Sequence, residues 1–255
     1  MGTWSTFDVH TEREIAVRRQ IIDACVAHGV SFLDSSPMYG ESERVIGTTI
    51  QGRRERFHLA TKVWTSGREQ GEAQIARSFQ LLGTDYIDVL QVHNLLDWRT
   101  HLLTLERLRE EGRIGLIGIT HYGPSAYAEM ARIMRSHRVN TIQVPYNVVE
   151  RECERELLPL AQELGIGVIV MRPLGGPGFL AHLRRQPDLA LLREHGIVTW
   201  AQALLAWVLA DRRVSVVIPA TSRPKRIEEN AVVGDLPPLP EELRTYVVQE
   251  TQRCR

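Results

Sequence analysis

The chain has 255 residues, enough for one large domain whose core needs no disulfides. Lysine plus arginine equals aspartate plus glutamate, 31 against 31, so the overall charge gives no sign of a polyanion-binding protein. The three cysteines lack paired or metal-type spacing, no apolar run approaches the ~20 residues of a membrane span, and MGTWSTFDVH lacks the apolar stretch of a signal peptide. A cytoplasmic protein without a structural metal is expected.

Short aliphatic runs predict strands at Val30–Leu33, Phe57–Thr61, Tyr86–Val92, Ile114–Ile119, Val139–Val144, Gly167–Val170 and Val214–Ile218. Each is apolar on both faces, as a strand covered by helices must be. Their starts fall 25–29 residues apart until the last, which follows after 47. Amphipathic segments lie between them, the clearest carrying Trp200, Ala203, Leu204, Trp207 and Val208 on one face. Gly29 and Gly112 read as helix stops.

Repeated strand–helix units imply parallel strands joined by crossovers. Seven strands and a fragment at Gly2–Trp4 predict an α/β fold, a (β/α)8 barrel of the TIM type spanning 1–255 as one domain. A doubly wound open sheet is the competing architecture, but it usually announces its dinucleotide site with G-x-G-x-x-G, which is absent here. The widest gap holds Arg172–Phe179 and a polar stretch to Gly196, expected to form a long loop over the site.

Polar residues cluster at one end of this pattern. Asp34, Lys62, His93, Thr120, His121 and the Pro219–Ser222 turn each follow the last residue of a predicted strand, and in a barrel those ends converge on the face that carries active sites. Taken singly, Lys62 reads as a solvated strand end, His93 as a satisfied core histidine, and Asp34-Ser35-Ser36-Pro37 as a turn. Their coincidence at one end is hard to obtain from structural needs alone.

With GTW at 2–4, FLDSSPMYGESERVIG at 32–47, ATKVW at 60–64, QVHN at 91–94, GITHYG at 118–123, QVPYN at 143–147, MRPLGG at 171–176 and IPATSRPKRIEEN at 218–230, the chain resembles the aldo-keto reductases. The resemblance runs in order through nearly the whole sequence and implies reduction of an aldehyde or ketone with NADP(H). The residue types suit that chemistry. A carbonyl accepting hydride needs a proton donor, and Tyr39 would supply it. A lysine ammonium lowers a tyrosine pKa, so Lys62 would tune Tyr39 while Asp34 holds Lys62 charged. His93 would share the hydrogen bonding at the carbonyl oxygen. An NADP(H)-binding sensor or regulatory subunit with little turnover is the alternative.

The resemblance further implies cofactor contacts. Thr120, His121 and Gln143 would meet the nicotinamide amide, although Gln143 reads equally as a polar strand end. Thr3, Trp4, Met171, Pro173 and Leu174 would line the cofactor and substrate cleft. Ala220, Thr221 and Ser222 would lead into a helix capped by Ser222, where Arg226 would clamp the 2′-phosphate. Glu229 and Asn230 would reach the adenine, and Lys225 reads as a solvated basic turn. Three departures stand out. Met171 occupies a position at which many relatives place a planar group, Ala220 one at which many have lysine, and the family's hairpin and full first strand are missing before Thr3. The expected result is a stub first strand, with homo-oligomerisation through an open barrel edge, or a natural chain that begins upstream of Met1.

Overall fold

The computed structural model describes Met1–Arg255. Its single sheet has seven parallel strands in chain order: β1 (Phe32–Asp34), β2 (His58–Val63), β3 (Ile87–His93), β4 (Ile114–Thr120), β5 (Thr141–Pro145), β6 (Gly167–Met171) and β7 (Val216–Val217). The helices are α1 (Glu12–Ala27), α2 (Ser42–Thr49), α3 (Arg68–Leu82), α4 (Trp98–Glu110), α5 (Tyr127–Arg135), α6 (Leu157–Leu164), α7 (Trp200–Leu209), α8 (Lys225–Ala231) and α9 (Glu241–Cys254).

All seven predicted strands exist, but most begin or end one or two residues later than their hydrophobicity suggests. Consequently Asp34, His93 and Thr120 are the last residues of strands, and Lys62 lies inside one. These polar side chains are buried at the strand ends, so hydrophobicity stops marking the strand before its backbone ladder does. Val214 and Ser215 fall outside β7, where Val214 N–H closes a turn onto the Asp211 carbonyl at 3.0 Å.

The expected stub is real. Gly2 alone forms parallel bridges, to Asp34 on one side and Ala220 on the other. Asp34 N–H donates to the Met1 carbonyl at 2.9 Å, Gly2 N–H donates to the Pro219 carbonyl at 3.2 Å, and the Met1 amino group donates to the Phe32 carbonyl. A Cβ at Gly2 would lie 2.8 Å from the Ile218 carbonyl oxygen, so only glycine fits this close approach. Buried hydroxyls pin the stub in series. Ser35 Oγ donates to Ser42 Oγ, which donates to Thr3 Oγ1, which donates to the Asp34 carbonyl, at 3.0, 2.8 and 2.9 Å.

Several helix ends follow sequence signals. Thr11 with Glu14 and Thr199 with Gln202 form capping boxes at the starts of α1 and α7. Gly29 and Gly112 take φ of +69° just past α1 and α4. The main core, which includes Trp200 and Trp207, lies between sheet and helices. A smaller cluster of Ala60, Val89, Ile169 and Ile218 occupies the opposite face of the strands, the barrel interior. Along each strand the residues two positions farther on, Lys62, Gln91 and Met171, share that inward face. Thus an apolar plug fills the middle of the barrel and a polar layer sits above it, at the C-terminal strand ends.

Candidate active site

That polar layer is built around one buried ion pair. Lys62 Nζ lies 2.9 and 2.8 Å from the two carboxylate oxygens of Asp34 and 2.6 Å from the Ser35 carbonyl. Both side chains are almost wholly buried, at 1% and 2% exposure. Adjacent strands deliver them: β1 and β2 pair Asp34 with Ala60, so Lys62 stands two residues further along on the same face. Gln91 Nε2 donates to Asp34 Oδ1 at 3.2 Å and Gln143 Nε2 to Oδ2 at 3.4 Å. Burial pushes the Lys62 pKa down, but the Asp34 carboxylate and the nearby Tyr39 more than offset it, and the net shift is upward. Gln91 has room because its neighbour on β4 is Gly118, where a Cβ would meet Thr141 Oγ1 at 2.4 Å and Gln91 Cγ at 2.8 Å.

Tyr39 comes from the turn after β1, whose geometry is set by Tyr39 N–H donating to the Ser36 carbonyl at 2.9 Å. Lys62 Nζ stands 5.3 Å from its ring centroid. The downward pull expected of Lys62 on the Tyr39 pKa is present but does not prevail. The Tyr39 pKa is raised, because burial outweighs the opposing pull of Lys62, and Asp34 adds to the rise. The Asp34 carboxylate in contact with Lys62 offsets much of the field that a free ammonium would exert on the phenol. Tyr39 is therefore a protonated phenol at neutral pH. His93 meets the Tyr39 ring edge-on at 6.0 Å between centroids. Burial, with the Lys62 and His121 charges, lowers its pKa to about 3, so its imidazole is neutral.

These groups face a cavity of about 450 Å³, a size suited to a small-molecule ligand. Of the residues expected there, Thr3, Trp4, Asp34, Tyr39, His93, Thr120, Gln143, Met171, Pro173, Leu174 and Ala220 line it. Lys62 lies beneath it rather than in its wall. His121 turns aside, its Nδ1 accepting from Gly123 N–H at 2.9 Å and its ring stacked on Tyr122. Thr221, Ser222, Arg226, Glu229 and Asn230 lie outside the cavity lining.

Two details of that last segment differ from expectation. The helix α8 starts at Lys225, Pro224 occupies its cap position, and Ser222 makes no cap bond. Instead Thr221 Oγ1 accepts from Arg223 N–H at 3.1 Å, closing a local turn before the helix can begin. Arg226 is also engaged, with Nη1 donating to Glu229 Oε1 at 2.6 Å, while Thr199 Oγ1 donates to the same oxygen at 2.8 Å.

Sequence reasoning missed several members of the site. Gln91 was legible by parity, two residues after Val89 and two before His93. Glu43 sits on α2, fully buried, and accepts from Thr61 Oγ1 at 2.5 Å and Ser78 Oγ at 3.1 Å. Burial raises its pKa. Arg172 adopts a left-handed backbone, φ +54°, and places its guanidinium 5.6 Å from the Tyr122 ring at the cavity mouth, with Glu150 3.4 Å away. Nothing in the linear sequence indicates these approaches.

A parallel barrel with a buried lysine–aspartate pair beneath a protonated tyrosine and a neutral histidine defines an acid–base site open to a small ligand. The Aldo/keto reductase family model matches residues 1–249, and the chain belongs to that family. Methylglyoxal reductase YeaE of Escherichia coli is 28% identical over 91% of this chain and 83% of its own length. An aldo-keto reductase of Mycobacterium sp. (strain KMS) is 32% identical over 92% and 82%. Among solved structures, an aldo-keto reductase from Klebsiella pneumoniae in complex with NADPH superposes with a TM-score of 0.83, at 26% identity, covering 98% of this chain and 89% of that one.

Proposed function

We propose that this chain is a single-domain, NADPH-dependent reductase of aldehydes or ketones in which Tyr39 is the proton donor. The observation that carries the reading is the buried Lys62–Asp34 pair beneath the Tyr39 ring, in a cavity shared with neutral His93. Family membership and the NADPH complex of the Klebsiella pneumoniae relative support the same chemistry.

The residues present fit a nicotinamide. Thr120 Oγ1 and Gln143 Oε1 are buried at the cavity and have no partner in the protein. Unpaired buried polar atoms are unfavourable, and a carboxamide offers both the donor and the acceptor they need. Met171 would pack against the ring, and Pro173 and Leu174 would border the cofactor. Ala220 to Ser222, with Arg226, Glu229 and Asn230, would hold its adenosine end. When bound, NADPH supplies the hydride.

The protein's own groups manage the proton and the geometry. Tyr39 Oη gives up its proton as negative charge develops on the carbonyl oxygen. Lys62 stabilises the phenolate that results, a role matched to the transition state rather than to the resting phenol. Asp34 fixes the ammonium, and Gln91 and Gln143 fix Asp34. His93 orients the carbonyl. Trp4, Met38 and Met171 give the cavity apolar walls. A panel of aldehydes and ketones assayed by NADPH absorbance tests the reading, with Tyr39→Phe as control. That variant is expected to lose ~10²–10⁴ in kcat while binding NADPH normally. Retention of most of kcat would remove Tyr39 from the role.

A further inference from the structure

Ser36 is fully buried in the turn that carries Tyr39. Its hydroxyl oxygen lies 2.9 Å from Nδ1 of His93 and 3.4 Å from the backbone nitrogen of Met38. Met38 N–H donates to Ser36 Oγ, and Nδ1 is the one acceptor within reach of the buried hydroxyl proton. A Ser36 O–H donating to Nδ1 is therefore the arrangement that leaves no buried donor unpaired. His93 is neutral, since burial and the Lys62 charge oppose protonation. A neutral imidazole carries one N–H; with Nδ1 accepting, that proton sits on Nε2. His93 also lines the cavity, with its Nδ1 edge turned to Ser36.

We propose that Ser36 is a positioning residue that locks His93 in the Nε2–H tautomer, so that the ring offers a donor to the oxygen of a carbonyl substrate. The inference rests on the carbonyl-reduction reading and deepens it. The opposite tautomer would present a lone pair to the lone pairs of the carbonyl and would repel the oxyanion that forms from it. Pro37 follows Ser36 and restricts the turn, and the Ser36 carbonyl anchors Tyr39 N–H. One residue therefore aligns both donors, Tyr39 through its backbone and His93 through its side chain.

The test combines 15N–1H NMR of the histidine rings with steady-state kinetics on an aldehyde from the panel, His93 being assigned by its loss in His93→Gln. Wild-type His93 is expected to be protonated at Nε2 alone from pH 5 to 8. Ser36→Ala is expected to give a mixture of tautomers and a kcat/KM about tenfold lower, the loss of one hydrogen bond's worth of orientation, with NADPH affinity unchanged. Ser36→Thr, which keeps the hydroxyl, is expected to restore both. Protonation of wild-type His93 at Nδ1 would overturn the proposal, whether or not Ser36→Ala folds. A Ser36→Ala enzyme that loses activity with its tautomer unchanged would overturn it too, showing a merely structural role. If no carbonyl is reduced by the wild type, the functional reading fails, while the tautomer measurement still decides what Ser36 does to the ring.

Discussion

Asp34→Asn isolates the ion pair at the centre of the site. In the wild type Lys62 Nζ has three acceptors, both Asp34 oxygens and the Ser35 carbonyl, at 2.6–2.9 Å, and its side chain is 1% exposed. The variant leaves a buried ammonium with neutral acceptors only. Removing one partner of a buried pair costs about 3–5 kcal/mol, because the remaining charge is desolvated and uncompensated. In a domain of this size that corresponds to a melting temperature lower by roughly 6–20 °C. Lys62→Met is expected to cost less. The Asp34 carboxylate it leaves keeps the amide donors of Gln91 and Gln143. The double variant is expected to be more stable than Asp34→Asn alone, since no unpaired charge remains. Urea denaturation of the four proteins at neutral pH measures the cycle. All three variants are expected to lose carbonyl reduction, so stability and activity should diverge in the double variant. The raised Lys62 pKa sets the pH range: its stabilisation is fully present below the ordinary 10.5 and is lost only as pH rises through the higher folded value. Additive losses, or a cost for Asp34→Asn under about 1 kcal/mol, would refute the picture of a buried charged pair.

Three further outcomes are expected. His93, with a pKa near 3 in the fold against 6.5 for an ordinary histidine, should leave no inflection of its own in kcat/KM between pH 5 and 8. By the same shift it should lower stability as pH falls through 6.5 towards 3; direct NMR titration near 6.5 would contradict both. Glu43 has its pKa raised by burial, so the native state holds its proton more tightly and stability should decline as pH climbs above 4.5 through the folded value. Glu43→Gln should remove that part of the slope, and parallel denaturation curves for the two proteins would count against it. Arg226→Ala should weaken NADPH roughly tenfold or more, from a charged hydrogen bond of about 1.5–3 kcal/mol, while sparing NADH. Because Arg226 is paired with Glu229, Glu229→Gln should in turn leave the arginine freer for phosphate. Equal weakening of both cofactors by Arg226→Ala in isothermal titration would show Arg226 to be structural.

Strand number, strand order and the end of the barrel that carries the site were determined by the sequence alone. Apolar runs at a near-constant repeat admit few architectures, and parallel strands with crossovers put all their C-terminal ends on one side. Residue types at those ends named Asp34, Tyr39, Lys62 and His93, and period-2 parity would have added Gln91. Tertiary structure decided the rest, because it depends on distances that a linear pattern does not encode. Burial sets the sign of the Tyr39 shift, and no count along the chain reports how much water a phenol loses. Glu43 reaches Thr61 and Ser78 across two helices and a strand, and Ser36 reaches His93 across 57 residues. Arg226 has a residue type suited to a phosphate, yet its partner in the fold is Glu229. Closure of the barrel by Gly2 alone was likewise a matter of contact: the Ile218 carbonyl sits where any larger residue would place its Cβ.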